Sequence, residues 1–167
     1  LLAACGGQPI DPMVELFEDL PADQVMIGVY HQTTSDGVVT AKLLSDTVYM
    51  FQDSSVLHLR GVDLEMFDAN GQKTAHLTSQ QGRLNQNTNA MVAIGNVVLI
   101  VVADGQRIES EELHYDPPSR RIWSEVRTRR TVDGQTMTAD GFSADDQFRN
   151  VQMTRPRGVV PGVRIDF

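Results

Sequence analysis

The residues of this chain whose chemistry could go beyond packing are four histidines, one cysteine, a short run of acids and a late group of arginines. His31, His58, His76 and His114 have no close ligand spacing and no H-E-x-x-H pattern, so they read as solvated or core residues rather than metal ligands. Glu109, Glu111 and Glu112 are the right type for glycoside hydrolysis, but such carboxylates work only when they face each other across a cleft. On one short strand they read instead as a solvated face. Asp68-Ala69-Asn70-Gly71 has the start of a calcium loop without the remaining ligands or the late glutamate, so a turn explains it better. Arg120, Arg121, Arg127, Arg129 and Arg130 can either meet phosphates or guard an edge against aggregation. No G-x-S-x-G elbow, P-loop or dinucleotide fingerprint occurs. The expectation is no catalytic residue, no metal site and no cofactor.

Cys5 stands apart from the rest. A single cysteine forms no intramolecular disulfide and excludes Cys₄ and Cys₂His₂ zinc sites. Leu2-Ala3-Ala4-Cys5, followed by Gly6-Gly7, resembles the lipobox of bacterial lipoproteins, in which the thiol receives diacylglycerol. Lipidation of Cys5 is the expectation, with a free or buried thiol as the alternative. Residues 6–12 then read as a tether.

A chain of 167 residues with 41% hydrophobic side chains makes one domain with a real core. The 22 acids exceed the 14 bases, and a net charge of −8 argues against a nucleic-acid-binding surface. The balance is uneven: residues 1–119 carry 16 acids and 5 bases, residues 120–167 carry 6 and 9. Any anion-binding surface is therefore expected late in the chain. No apolar stretch reaches the roughly 18 residues of a membrane-spanning helix.

Met13, Val14, Leu16, Phe17 and Leu20 recur at helical spacing between Pro12 and Pro21, which predicts one short helix. From Val25 onward the pattern changes to short runs of Val, Ile, Leu, Thr and Tyr closed by Gly, Asn, Asp or Pro, which predicts strands. Val62-Asp63-Leu64-Glu65-Met66 alternates strictly, so Val62, Leu64 and Met66 share one face. Val97 to Val102 is continuously apolar; its β-branched content favours a strand covered on both sides over a buried helix. Asp36-Gly37, Asn70-Gly71, Asp104-Gly105 and Asp133-Gly134 each stand between apolar runs and predict hairpins of type I′. Their glycines are 34, 34 and 29 residues apart, with Thr-Ala after three of them. Such a period reads as a repeated hairpin array, or as an ordinary antiparallel sandwich whose hairpins share turn chemistry.

In that order, Leu59-Arg60-Gly61-Val62-Asp63-Leu64, Phe67-Asp68-Ala69-Asn70-Gly71, Ala75-His76-Leu77-Thr78-Ser79, Gly95-Asn96-Val97-Val98, Ser110-Glu111-Glu112-Leu113-His114-Tyr115-Asp116 and Asp140-Gly141-Phe142 resemble the LptC family of lipopolysaccharide-export proteins, within the wider OstA-like group. The resemblance runs from Ala22 to Met153 and rests on the order of these short matches. It implies an all-β fold, an antiparallel twisted β-jellyroll open along one side, whose sheets enclose an apolar groove for the acyl chains of lipopolysaccharide. It also implies edge strands that pair with an inner-membrane lipopolysaccharide ABC transporter and with an LptA-like periplasmic bridge protein. Members of the family usually carry an amino-terminal membrane helix, whereas this chain offers Cys5, so the membrane would be reached through a lipid anchor.

The expected domains are 1–21, a lipobox remnant, tether and short helix; 22–153, the β-jellyroll; and 154–167, a tail that orders on binding. The expected inward set is Leu64, Met66, Leu77, Val97, Leu99, Val101, Ile108, Leu113 and Phe142, which sequence alone leaves as either a lipid groove or a filled core. Phe148, Val151 and Met153 lie on the last strand-like run before Pro156, the candidate partner edge. The function expected is a periplasmic, membrane-anchored, non-enzymatic carrier of lipopolysaccharide. The alternatives are a β-adaptor without a ligand and an envelope-glycan enzyme using Glu109, Glu111 or Glu112.

Overall fold

The computed structural model describes residues 22–158, and among them no helix occurs. The expected helix over 13–20 and Cys5 lie outside the described residues. Eleven antiparallel strands follow one another: β1 Gln24–Ser35, β2 Val38–Met50, β3 Val56–Phe67, β4 Lys73–Asn85, β5 Met91–Val101, β6 Arg107–Asp116, β7 Arg121–Ser124, β8 Thr128–Val132, β9 Gln135–Ala139, β10 Gly141–Asp145 and β11 Gln152–Thr154. The first six form a meander in chain order; β7, β10 and β11 continue it, while β8 and β9 branch from β6.

All four Xaa-Gly turns close hairpins, but with two geometries. Asp36-Gly37 and Asp133-Gly134 are two-residue loops with positive φ at both positions (51° and 80°, 49° and 72°), the type I′ requirement. The loops at Asn70-Gly71 and Asp104-Gly105 are longer and built on a side chain. Asp68 Oδ1 accepts from the amides of Asn70 and Gln72, and Asp104 Oδ1 from that of Gln106. The apparent repeat is therefore a set of hairpins in one continuous sheet.

The long strands are creased across their middle. Pairing skips Gly28, Asp46, Gly61 and Gln80, and the β5 ladder breaks between Ile94 and Val97. Gly61 has φ +62°, and a Cβ there would displace the Asp46 carboxylate, so glycine is favoured on both counts. Buried serines satisfy the carbonyls the crease turns aside. Ser45 Oγ donates to the Arg60 carbonyl at 2.8 Å and lies 3.0 Å from that of Thr47; Ser79 Oγ donates to Gln81 O at 2.8 Å. On β6 the same line is where partners change: Arg107–Ser110 pair with β8, His114–Asp116 with β7.

The crease folds the sheet on itself. Leu64 pairs with Leu77 and Met91 with Leu84, seven residues apart on β4, which in a straight strand is roughly 23 Å. Yet Leu64, Leu77 and Met91 border one small void. Two half-sheets therefore face each other, and between them lies the core, with Leu59, Leu99, Ile108, Ile122 and Phe142 almost fully enclosed. The alternation of β3 is as the sequence predicts: Val62, Leu64 and Met66 are buried, while Asp63 meets His76 at 2.9 Å and Glu65 meets Lys73 at 2.7 Å on the outer face. The Lys73 hydrogen bond holds the Glu65 carboxyl below its ordinary value.

Two expectations need correction here. Val97–Val102 is covered on one face only: Val97, Leu99 and Val101 are buried, Val98 and Ile100 are half-buried, and Val102 is exposed beyond the end of β5. A half-sheet has one partner layer, so its outer face stays open even where the sequence is apolar throughout. The terminal strand is also shorter than the run Phe148–Met153, because Asp145 captures the amides of Gln147 and Arg149 and the Asn150 side chain into a turn. Those hydrogen bonds outweigh the opposing effect of burial and lower the Asp145 pKa. Phe148 sits in this turn at φ +57°, buried in the core. The start of the expected tail is likewise ordered: Thr154 ends β11, and Arg157 exchanges backbone hydrogen bonds with Thr138 on β9.

Candidate functional site

On the side opposite the crease the half-sheets diverge and leave a cavity of about 570 Å³. That size lies within the range of small-molecule and lipid pockets. The hairpin half contributes Leu43, Leu64 and Met66 on its inner face, with Thr33, Ser35, Asp36 and Asp68 at the rim. The facing half contributes Leu84, Met91 and Tyr115, rimmed by Asn89, Arg120, Asp146 and Gln147. Strand parity places the floor: Leu43 pairs with Leu64 across β2 and β3, and Leu84, Met91 and Tyr115 form one register row across β4, β5 and β6. Burial, reinforced by the charge of Asp146, pushes the Tyr115 phenol above its ordinary value, so it stays neutral. The floor is aliphatic and thioether, with a neutral phenol at its edge; the rim is polar. Such a site holds hydrocarbon by area rather than by directed bonds.

The nine residues expected to face inward are all buried, but they are not all on this cavity. Leu64 and Met66 line it. Leu77, Leu99 and Leu113 border the small void of about 10 Å³ behind it, too small for any chain. Val97, Val101, Ile108 and Phe142 lie in the closed core. Leu43, Leu84, Met91 and Tyr115 were not in the inward set. Register pairing with residues already in it was the available signal, since Leu43 stands opposite Leu64.

The remaining reactive residues are dispersed. His58 packs edge-on against Phe51, with ring centroids 5.2 Å apart, and His114 stacks on Trp123 at 5.0 Å while meeting Glu112 at 2.6 Å. Glu109 pairs with Arg107, so the acids do not converge on a cleft. Among the described residues no group of three or more His, Cys, Asp or Glu is placed to hold a metal ion. The arginines also separate: Arg121 lies over Trp123, Arg130 reaches Gln106 Oε1 at 2.8 Å, and only Arg120 reaches the cavity rim.

At the ends of the sheet, among the described residues, β1 pairs only with β2 and β11 only with β10. β1 is exposed on both faces, with Val25, Ile27 (84% exposed) and Tyr30 in the open. On β11, Met153 stands opposite Phe142 and packs with Val151 against the core, while Gln152 and Thr154 are exposed.

A creased antiparallel sheet whose halves part around an apolar cavity is a β-jellyroll open along one side. Residues 18–159 match the family model described as lipopolysaccharide-assembly, LptC-related, and the chain belongs to that family. The fold is similar to the crystal structure of LptH, the LptA-homologous periplasmic component of the lipopolysaccharide transport device from Pseudomonas aeruginosa. The TM-score is 0.55 at 18% identity, over 74% of this chain and 89% of that one. Comparison with curated proteins gives no match.

Proposed function

We propose that this chain is a non-enzymatic, periplasmic bridge component that takes lipopolysaccharide acyl chains between its half-sheets and passes them on without covalent change. The observation carrying this reading is the apolar cavity of about 570 Å³ on the open side of the jellyroll. Family membership and the likeness to LptH support a place in lipopolysaccharide transport. Among the described residues the outer edges of β1 and β11 are unpaired, which supports strand addition by neighbours, for which an inner-membrane ABC transporter and an LptA-like bridge protein are the proposed partners. Cys5 is the proposed lipid anchor, tested by intact mass of membrane-extracted protein, where absence of an acyl increment removes the anchor.

A photo-crosslinking side chain at Leu43 tests the carrier. The expected result is a lipopolysaccharide adduct at Leu43 and none at outward-facing Thr78. A folded protein with no adduct at Leu43 leaves a β-adaptor that works through its edges alone.

A further inference from the structure

We propose that Arg120 is the subsite for an anionic phosphate on the head of the acylated ligand, and that it sets which way the ligand lies in the cavity. This inference rests on the carrier reading above. Among the described residues lining the cavity, Arg120 is the only lysine or arginine; the charged partners on the opposite rim are the acids Asp36 and Asp68. A phosphate is repelled from the hairpin rim, whereas at the facing rim Asp146 balances Arg120 and the guanidinium's remaining donors point the preference to the loop between β6 and β7. The mouth is therefore electrically polar, and an apolar floor that grips tails without direction acquires an orientation from its rim.

Arg120 is already held in place. Its Nε and one Nη reach the Asp146 carboxylate at 2.9 and 3.1 Å, and the Asp146 amide donates to the Arg120 carbonyl at 3.0 Å. A guanidinium has five N–H donors, and this pairing uses one edge of the fork. The other edge stays free, on a side chain 60% exposed, while Asp146 at 20% is tucked beneath. A phosphate can thus be taken bidentately without breaking the existing pair, and Asp146 fixes the guanidinium plane for it. Arg120 also gives a role to one member of the late arginine group that the sequence marked as an anion-binding candidate.

The test compares lipid A with its phosphate-free derivative in detergent, using the full chain. Wild type is expected to bind lipid A about tenfold more tightly, the difference made by one charge-assisted contact. Arg120→Gln lowers lipid A binding to the level of the phosphate-free lipid, Arg120→Lys keeps part of the preference, and Asp146→Asn, whose amide oxygen still accepts from Arg120, keeps most of it. A merely structural role for the pair makes Arg120→Gln and Asp146→Asn weaken both lipids equally, and that outcome overturns the subsite. So does an unchanged lipid preference in Arg120→Gln. Failure of wild type to bind either lipid overturns the carrier reading and the subsite together. Inorganic phosphate alone is expected not to saturate the protein at micromolar concentration; if it does, with no preference between lipids, the site is one for the free anion.

Discussion

Gly61 shows how one residue controls the shape of the chain. A sheet this long stays a single leaf unless its strands bend at the same level, and Gly61 bends β3 with φ +62° where the Asp46 side chain fills the space of a Cβ. Gly61→Ala is expected to lose about 1–3 kcal/mol, from the left-handed backbone and from displacement of Asp46. Adding Asp46→Ala returns the steric part only. Urea denaturation of the single and double variants separates the two contributions; a single variant as stable as wild type shows that β3 bends without this glycine. The sequence displays Gly61 plainly inside an alternating run, but alternation does not distinguish a glycine that bends a strand from one that merely interrupts it. The buried serines carried a better signal. Ser45-Asp46, Ser79-Gln80 and Ser110-Glu111 each set a small buried hydroxyl at an inward position beside a polar residue, and each lies on the crease.

Among the elements, the strands that alternate were legible and their terminations less so. Val62, Leu64 and Met66 follow from period two alone, and the Asp-Gly and Asn-Gly turns locate the hairpins because few other dipeptides tolerate positive φ. The end of the chain misled for a local reason. Phe148 to Met153 is apolar enough for a strand, yet the Asp145 carboxylate competes for its amides and coils the first part into a turn. Whether an element is an edge is a property of topology, which no short window contains. β1 is the edge that most needs a partner, since its exposed Ile27 has none of the charged guards that isolated edges normally carry. Ile27→Lys is expected to leave stability within about 0.5 kcal/mol, since the side chain is already in solvent. It should also reduce co-purification with the proposed transporter partner. Undiminished co-purification would place that contact elsewhere than β1.

At the scale of the whole molecule, the same nine inward residues divide between a closed core and an open cavity, and the division is set by how far the half-sheets diverge from the crease. Behind the cavity the inner side chains meet around a void of about 10 Å³; further out they part. Periodicity reports which way a side chain points and says nothing of the distance to the layer it faces, so groove and core were indistinguishable in sequence. The distinction has a direct consequence. Leu43 projects into the cavity from the hairpin half, so an indole at that position has room to enter without forcing its neighbours off rotamer. Leu43→Trp is expected to keep stability within about 1.5 kcal/mol of wild type while abolishing acyl-chain binding, because the added ring occupies the volume the tails need. An indole at Phe142 overpacks the closed core and is expected to unfold the protein or cost about 1–3 kcal/mol. Thermal melts set beside lipid binding tell the two apart. A Leu43→Trp protein that is stable and still loads lipid shows that the tails lie somewhere other than between the half-sheets.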